Sequence, residues 1–413
     1  MAQTFTNDIE VKGITLAIIA YALLLFFTPY QEAPKNILTL VLVLWGIFNF
    51  RAVLKNIDVN PIAITAIIFL FSSVIAFFTS SYQEVLELKN SFGPLKIGLI
   101  LIPVILLSQA HRNFWKLSAI FIAIGGIVSG IDGLINWKGP YPQYNSVGHV
   151  NHTALYVCLQ FGASLVLLIS SNLKIKSLGF ISLIISLIFL FTSRSTLALI
   201  LSLIIFSVFT YVHIDTMRRN ITVLLLGILL VLLSESFAFY QTHTGQDFIN
   251  EINDRISNDI TSSRYGIALT AIEGAKSNPI FGAGPRMFRR ATDEATIREI
   301  MRSENRNYDH EDKDFIHVIH GHNTWINNYV ERGLFSLLLF TACGIFTIVY
   351  IFRYKPKPTA NQEYRNVYLL FATAGIVIFI GGMMQTTFIA EHGLVSSILL
   401  TSGAQFLRSQ NQS

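Results

Sequence analysis

The sequence predicts an all-α, polytopic integral membrane protein of about twelve transmembrane helices, with a large, mostly helical loop between the ninth and tenth. Three observations carry this fold class. Of 413 residues, 52% are hydrophobic and only 13% charged, and the mean hydropathy is +0.53, values typical of membrane proteins. Apolar runs matching a hydrocarbon core of roughly 30 Å, which takes about 17–25 helical residues, recur along nearly the whole chain. A single long hydrophilic segment, about 234–321, interrupts them.

In chain order the runs cover 13–29, 37–51, 62–79, 93–109, 117–135, 152–170, 177–192, 195–213, 221–237, 333–352, 366–384 and 390–407. The first follows the acidic stretch "NDIEVKG" and lacks a small-residue cleavage pattern, so it is expected to be a retained helix rather than a signal peptide. No lipidation signal is expected. Cys158 and Cys343 fall inside runs, where a thiol is a small apolar packing residue and implies no disulfide framework.

Charge distribution orients the helices. Segments after even-numbered runs carry Arg51, Lys55, Arg112, Lys116, Lys174, Lys176, Arg218, Arg219, Arg353, Lys355, Lys357 and Arg365, twelve basic residues. The short segments after odd-numbered runs carry five: Lys35, Lys89, Lys96, Lys138 and Arg194. By the positive-inside rule both termini are cytoplasmic. The segment 234–321 then lies on the outer face, the periplasm of a double-membraned bacterium, as a loop region inserted in a single membrane domain spanning 1–413. Its ten basic and fourteen acidic residues are mixed rather than patched, which gives nucleic-acid binding no support.

Within that segment, "SSRYGIALTAIEGAKSNPIFGAGPRMF" reads as a helix followed by a turn. Ser262 or Ser263 caps it, Tyr265, Leu269 and Ile272 recur at helical spacing, and Asn278 and Pro279 end it. "GAGP" is the tight turn beyond.

Two arginines and one histidine stand out chemically. Arg194, in "FTSRSTLALI", sits between two runs at the edge of the hydrocarbon, where a guanidinium either snorkels to water or faces a polar cavity. Arg264 opens the loop helix. A planar, permanently charged guanidinium suits phosphate, so two arginines near free helix N-termini on one face suit a lipid-linked diphosphate. His317, His320 and His322 form a His-x-x-His-x-His array whose zinc signal is weak without a fixed spacing and a further ligand. A helix beginning near Asn323 or Thr324 puts His322 at its N-terminus, on the side of Trp325, Ile326 and Tyr329 and away from Asn328 and Arg332, so that the histidine faces the protein and those two residues face outward. A helix N-terminus disfavours an added positive charge, so it favours a neutral imidazole able to accept a proton.

These residues resemble the bacterial O-antigen ligase family, within the wider group of O-antigen ligases, O-antigen polymerases and O-linked protein oligosaccharyltransferases. The resemblance runs over nearly the full length: about twelve spans, an outer loop between the ninth and tenth, Arg194 in "TSRSTLAL", Arg264 in "SSRYGIAL" and His322 in "HNTWINNYVERG". The ligase signature is His, then Asn, Ser or Gln, nine residues, Gly, two residues, then Gly, Thr or Tyr. His322, Asn323 and Gly333 fit it, and Ser336 departs at the last position.

The resemblance implies glycan transfer from undecaprenyl diphosphate-linked O-antigen to a sugar hydroxyl of lipid A–core, at the periplasmic face of the inner membrane, with no ATP, metal or other cofactor. His322 would be the general base, and Arg194 and Arg264 would hold the diphosphate as it leaves. Asn323, Glu391 in "FIAEHG" and His152 in "GHVNHTALY" are softer substrate-binding candidates, Glu391 as an orienter of His322 or an arginine. The polymerase spacing, Arg-fifteen-Gly, is not met, since Thr210 and Ile280 stand at that distance from Arg194 and Arg264. A protein oligosaccharyltransferase often has a longer C-terminal outer part than "FLRSQNQS". A lipid-linked glycan transporter would be expected to show inverted repeats and charges deep in its spans.

Overall fold

The protein's computed structural model describes residues 13–49, 51, 60–80, 85–111, 113–137, 142–147, 149–193, 195–217, 271, 273–276, 278–288, 299, 302, 322–387 and 390–411, and length, apolarity and capping together place eleven bounded α-helices among them. They are α1 (Ile14–Phe27), α2 (Glu32–Phe48), α3 (Pro61–Thr79), α4 (Val85–Ala110), α5 (Phe114–Ile135), α6 (Val150–Leu168), α7 (Leu173–Thr192), α8 (Thr196–Met217), α9 (Thr324–Arg353), α10 (Gln362–Gly375) and α11 (Ala390–Asn411). A π turn, Ile376–Ile380, and a 3-10 turn, Gly381–Met383, extend α10. Asparagines supply side-chain caps at the starts of α3, α7, α9 and α10, accepting from N–H groups that have no partner within the helix.

Among the described residues, eight helices are long and apolar enough to cross a membrane: α3, the Gly93–Ala110 part of α4, α5 to α8, α9, and α10 with its extension to Met383. They match expected spans three to eight, ten and eleven. Expected spans one, two and twelve fall on α1, α2 and α11, which are short (α1, α2) or polar (α11). Span nine and most of segment 234–321 lie outside the described residues, which there include 271, 273–276 and 278–288.

Burial explains the polarity of α11. From Thr153 to Leu168 every residue of α6 is buried, and α11, which packs on α10, α4, α6 and α3, buries Ser396, Ser397, Thr401 and Ser402. Helices enclosed by protein need no apolar surface for lipid, whereas α7 and α8 expose Phe180, Ile181, Ile200 and Leu203, the apolar surface a bilayer requires.

Side-chain contacts gather the N-termini of α2, α6, α9 and α11 at one end of the bundle. Lys35 of α2 pairs with Glu391 of α11, His152 of α6 stacks on His392 of α11, and Thr324 of α9 binds the segment leading into α11.

Candidate functional site

The helix that carries His322 is broken. Gly333 takes φ 71° and ψ −176° inside α9, a backbone region open essentially to glycine alone. The two halves fold back on one another, so that Trp325, eight residues before the break, meets Phe340, seven residues after it, with ring centroids 4.7 Å apart.

A break frees carbonyls on one side and N–H groups on the other, and the "NPIFGAG" turn satisfies both. Ala283 and Gly284 N–H donate to Val330 and Glu331 carbonyls at 2.8 and 2.9 Å, while Leu334 and Phe335 N–H donate to Pro279 and Ile280 carbonyls at 2.8 and 3.2 Å. Ser80 Oγ, just past α3, donates to the Ala283 carbonyl at 2.6 Å and fixes the turn to the bundle. A Cβ on Gly333 would overlap the Ile280 carbonyl, and one on Gly282, at φ 79°, would overlap the backbone at Glu331 and Arg332. The glycine of the signature thus makes an elbow into which the turn fits. Ser336, at the signature's variant position, meets Ser72 Oγ of α3 at 3.1 Å in the buried α3–α9 interface.

Asn323 starts the first half-helix. Its Oδ1 accepts from Trp325 and Ile326 N–H at 2.9 and 3.1 Å, and its Nδ2 donates to the Met383 carbonyl at 2.8 Å. Thr324 Oγ1 donates to the Gln385 carbonyl at 2.9 Å and accepts from Thr387 N–H at 2.6 Å, and Thr387 Oγ1 donates to the Ile378 carbonyl at 2.8 Å. His322 precedes this anchor with φ 46° and is half-buried, its Nδ1 3.4 Å from Gln385 Oε1. The cap, the threonine pair and Gln385 therefore fix where the imidazole sits.

Beyond Gln385 the polar layer continues through His392 to His152, whose rings stack at 5.0 Å and 15°, and His149 lies 5.4 Å from His152. Glu391, next to His392, is buried and accepts from Lys35, with Ser146 Oγ 3.4 Å from each of the two charged groups. Tyr144, just before α6, donates to Gln160 Oε1 at 2.6 Å; burial pushes its phenol well above the ordinary value, so it stays a neutral donor.

The structure brings His322, Asn323, His152 and Glu391 to the same end of the bundle. Glu391 pairs with Lys35, not with His322. Arg194, Arg264, His317 and His320 lie outside the described residues. One orientation differs from expectation: Asn328 and Arg332 are buried, 2% and 7% exposed, and face the bundle, while Ile326 and Tyr329 pack on Ala271, Ala275 and Phe288 next to the turn. Helical-wheel logic sends polar residues outward, and here a polar face is turned into the protein. Lys35, Gln385, Thr324 and Thr387 were not singled out from sequence. The only signal was "QTT" and "EH" close together between two apolar runs.

Fold and site define a multi-pass, all-helical membrane protein with a polar layer gathered where four helices begin. Residues 181–341, 161 of the 413, match the model of a family described as O-antigen ligase, the family that the signature residues resemble. The matched stretch runs from within α7 to within α9, and so contains Arg194, Arg264, His322 and the Gly333 elbow. The family implies an enzyme acting on lipid-linked glycans, of ligase or polymerase type. No curated protein matches the chain.

Proposed function

We propose that this protein is an O-antigen ligase. It moves O-antigen polysaccharide from undecaprenyl diphosphate to a sugar hydroxyl of lipid A–core, at the periplasmic face of the bacterial inner membrane, with both termini cytoplasmic. The observation that carries the reading is the fixed placement of His322: half-buried, at the start of a capped half-helix, with Nδ1 directed to Gln385 Oε1. With the amide oxygen accepting from Nδ1–H, Nε2 keeps the lone pair and can take a proton.

In the reaction, Nε2 of His322 takes the proton of the acceptor hydroxyl as its oxygen attacks the anomeric carbon of the donor sugar. The bond from that carbon to the phosphate oxygen breaks, and undecaprenyl diphosphate leaves with the electron pair. Attack opposite the leaving group inverts the anomeric centre. Arg194 and Arg264 stabilise the growing charge on the diphosphate. The donor is already activated, so orientation and charge stabilisation suffice, and neither ATP nor a metal is required. His152 and Asn323 contribute to the site wall. Glu391 acts through Lys35 to hold α2 and α11 in register beside it.

Deleting the gene and separating the lipopolysaccharide by size tests the reading. Loss of all long chains from the core, with polymer accumulating on undecaprenyl diphosphate, is the expected result. A core bearing single O-units would overturn ligase in favour of polymerase, and normal lipopolysaccharide with an unglycosylated pilin would point to a protein acceptor.

A further inference from the structure

The inward face of the first half of α9 holds three hydrogen-bond donors that the reading above does not use. Trp325, Asn328 and Arg332 recur at i, i+3 and i+7, the spacing of one helix face. Trp325 Nε1, Asn328 Nδ2 and Arg332 Nε are each buried without a hydrogen-bond acceptor among the described residues. The Asn328 carbonyl oxygen is taken by Arg332 Nη1 at 2.5 Å, so the amide turns only donors to its surroundings. The Arg332 guanidinium carbon lies 5.6 Å from the centre of the Phe69 ring of α3, and one turn along the same face Ser73 Oγ is buried and unpartnered as well. Glu331, the adjacent acid, accepts from Arg286 N–H and Asn327. It offsets the charge of Arg332 but not the hydrogen-bond deficit.

A buried donor without an acceptor is costly, and a planar guanidinium more so. Three together on one face, with no acceptor among them, call for a ligand that only accepts. Phosphate oxygens do this, and guanidinium geometry suits them in pairs. The elbow at Gly333 places these donors between α3 and the fold-back of α9, in the same broken helix that carries His322.

We propose that Trp325, Asn328 and Arg332 form an anion subsite between α3 and the broken helix α9 that takes a phosphate group of the lipid-linked donor. The subsite rests on the transferase reading for the identity of its ligand, and its first donor, Trp325, follows the base His322 by three residues.

The test uses the full chain in nanodiscs and measures binding of polyprenyl diphosphate and polyprenyl monophosphate to wild type, Arg332→Met, Arg332→Lys and Trp325→Phe. Wild type is expected to prefer the diphosphate. Arg332→Met should weaken diphosphate binding at least tenfold and narrow that preference, Arg332→Lys should keep more of both, and Trp325→Phe, which retains the ring contact with Phe340, should weaken binding severalfold. A merely structural role would lower both affinities together and leave the preference intact. Competition by inorganic diphosphate at similar concentration would assign the site to the anion alone, and failure to compete would assign it to the lipid-borne group. Unchanged affinity and preference in both Arg332→Met and Trp325→Phe would mean the donors serve water only and would overturn the proposal, as would a wild type that binds neither lipid. Wild-type binding through Arg332 with no glycan reaching lipopolysaccharide would sink the ligase reading and leave the subsite standing. Transfer by Arg332→Met at wild-type KM would do the reverse.

Discussion

Gly333→Ala should detach the "NPIFGAG" turn from the elbow of α9. The added methyl overlaps the Ile280 carbonyl and the Phe281 nitrogen, which are backbone atoms and cannot swing away as a side chain would. Alanine at φ 71° and ψ −176° costs about 1–3 kcal/mol in backbone strain alone. Relief requires the turn to move, which breaks up to four backbone hydrogen bonds, at roughly 1 kcal/mol net each, or about 4 kcal/mol. Since about 1.4 kcal/mol is a factor of ten, the local opening constant should rise on the order of a thousandfold. Hydrogen exchange at the amides of Ala283, Gly284, Leu334 and Phe335 reads this directly, and glycan transfer should fall because His322 is carried by the loosened half-helix. Gly344→Ala is the control. Its methyl meets only the Phe379 ring, at 3.2 Å, and those four amides should exchange as in wild type. Unchanged exchange in Gly333→Ala would refute the account of the elbow.

Three other outcomes are expected. His322→Ala, Arg264→Ala and Arg194→Ala should each abolish transfer in membranes with normal insertion, whereas His317→Ala and His320→Ala should be far milder; wild-type transfer by His322→Ala would remove the base. Lys35→Met should destabilise the protein by about 3–5 kcal/mol because it leaves Glu391 buried and unpaired, while the double change Lys35→Met with Glu391→Met should recover most of that; thermal denaturation in detergent compares them, and additive losses would show that the two do not act as a pair. Transfer in purified membranes should be unaffected by a strong chelator, and restoration by added zinc or magnesium after chelation would reinstate a metal.

The helices were legible because lipid imposes a simple demand. Stretches such as Pro61–Thr79 and Leu173–Thr192 carry enough apolar surface to be found by counting. The same demand hides the interior. For Asn328 and Arg332, polarity suggested an outward face, and their burial depends on α3 and on a fold-back whose pivot is one glycine. The signature marked Gly333 as a position but not as a break, and its partners, Pro279 to Gly284, lie about fifty residues earlier with no periodicity to link them. Lys35 and Glu391 are 356 positions apart, and each alone reads as an interfacial charge. Gln385 and Thr387 position His322 through short-range polar contacts, which only the folded chain defines.

These features together connect the signature to a task. A general base that serves a large glycan acceptor and a lipid-borne donor needs a rigid support with open surroundings. An unbroken helix running from His322 into the bundle would carry the histidine about 16 Å above Gly333, at 1.5 Å per residue, far from the polar layer. The elbow instead folds the half-helix back until Thr324 meets Gln385 and Thr387, so the histidine returns to the level at which α2, α6 and α11 begin. On this account the nine-residue spacing between Asn323 and Gly333 sets a length, about two and a half helical turns, that brings the base to Gln385 and holds Arg332 at the pivot. Inserting a single alanine between Tyr329 and Val330 keeps every signature residue type but rotates the cap by about 100° and lengthens the arm by about 1.5 Å. It should abolish transfer while leaving α9 after Gly333 in place, readable as wild-type exchange at Leu334 and Phe335. Retained transfer would show that the spacing is not what positions the base.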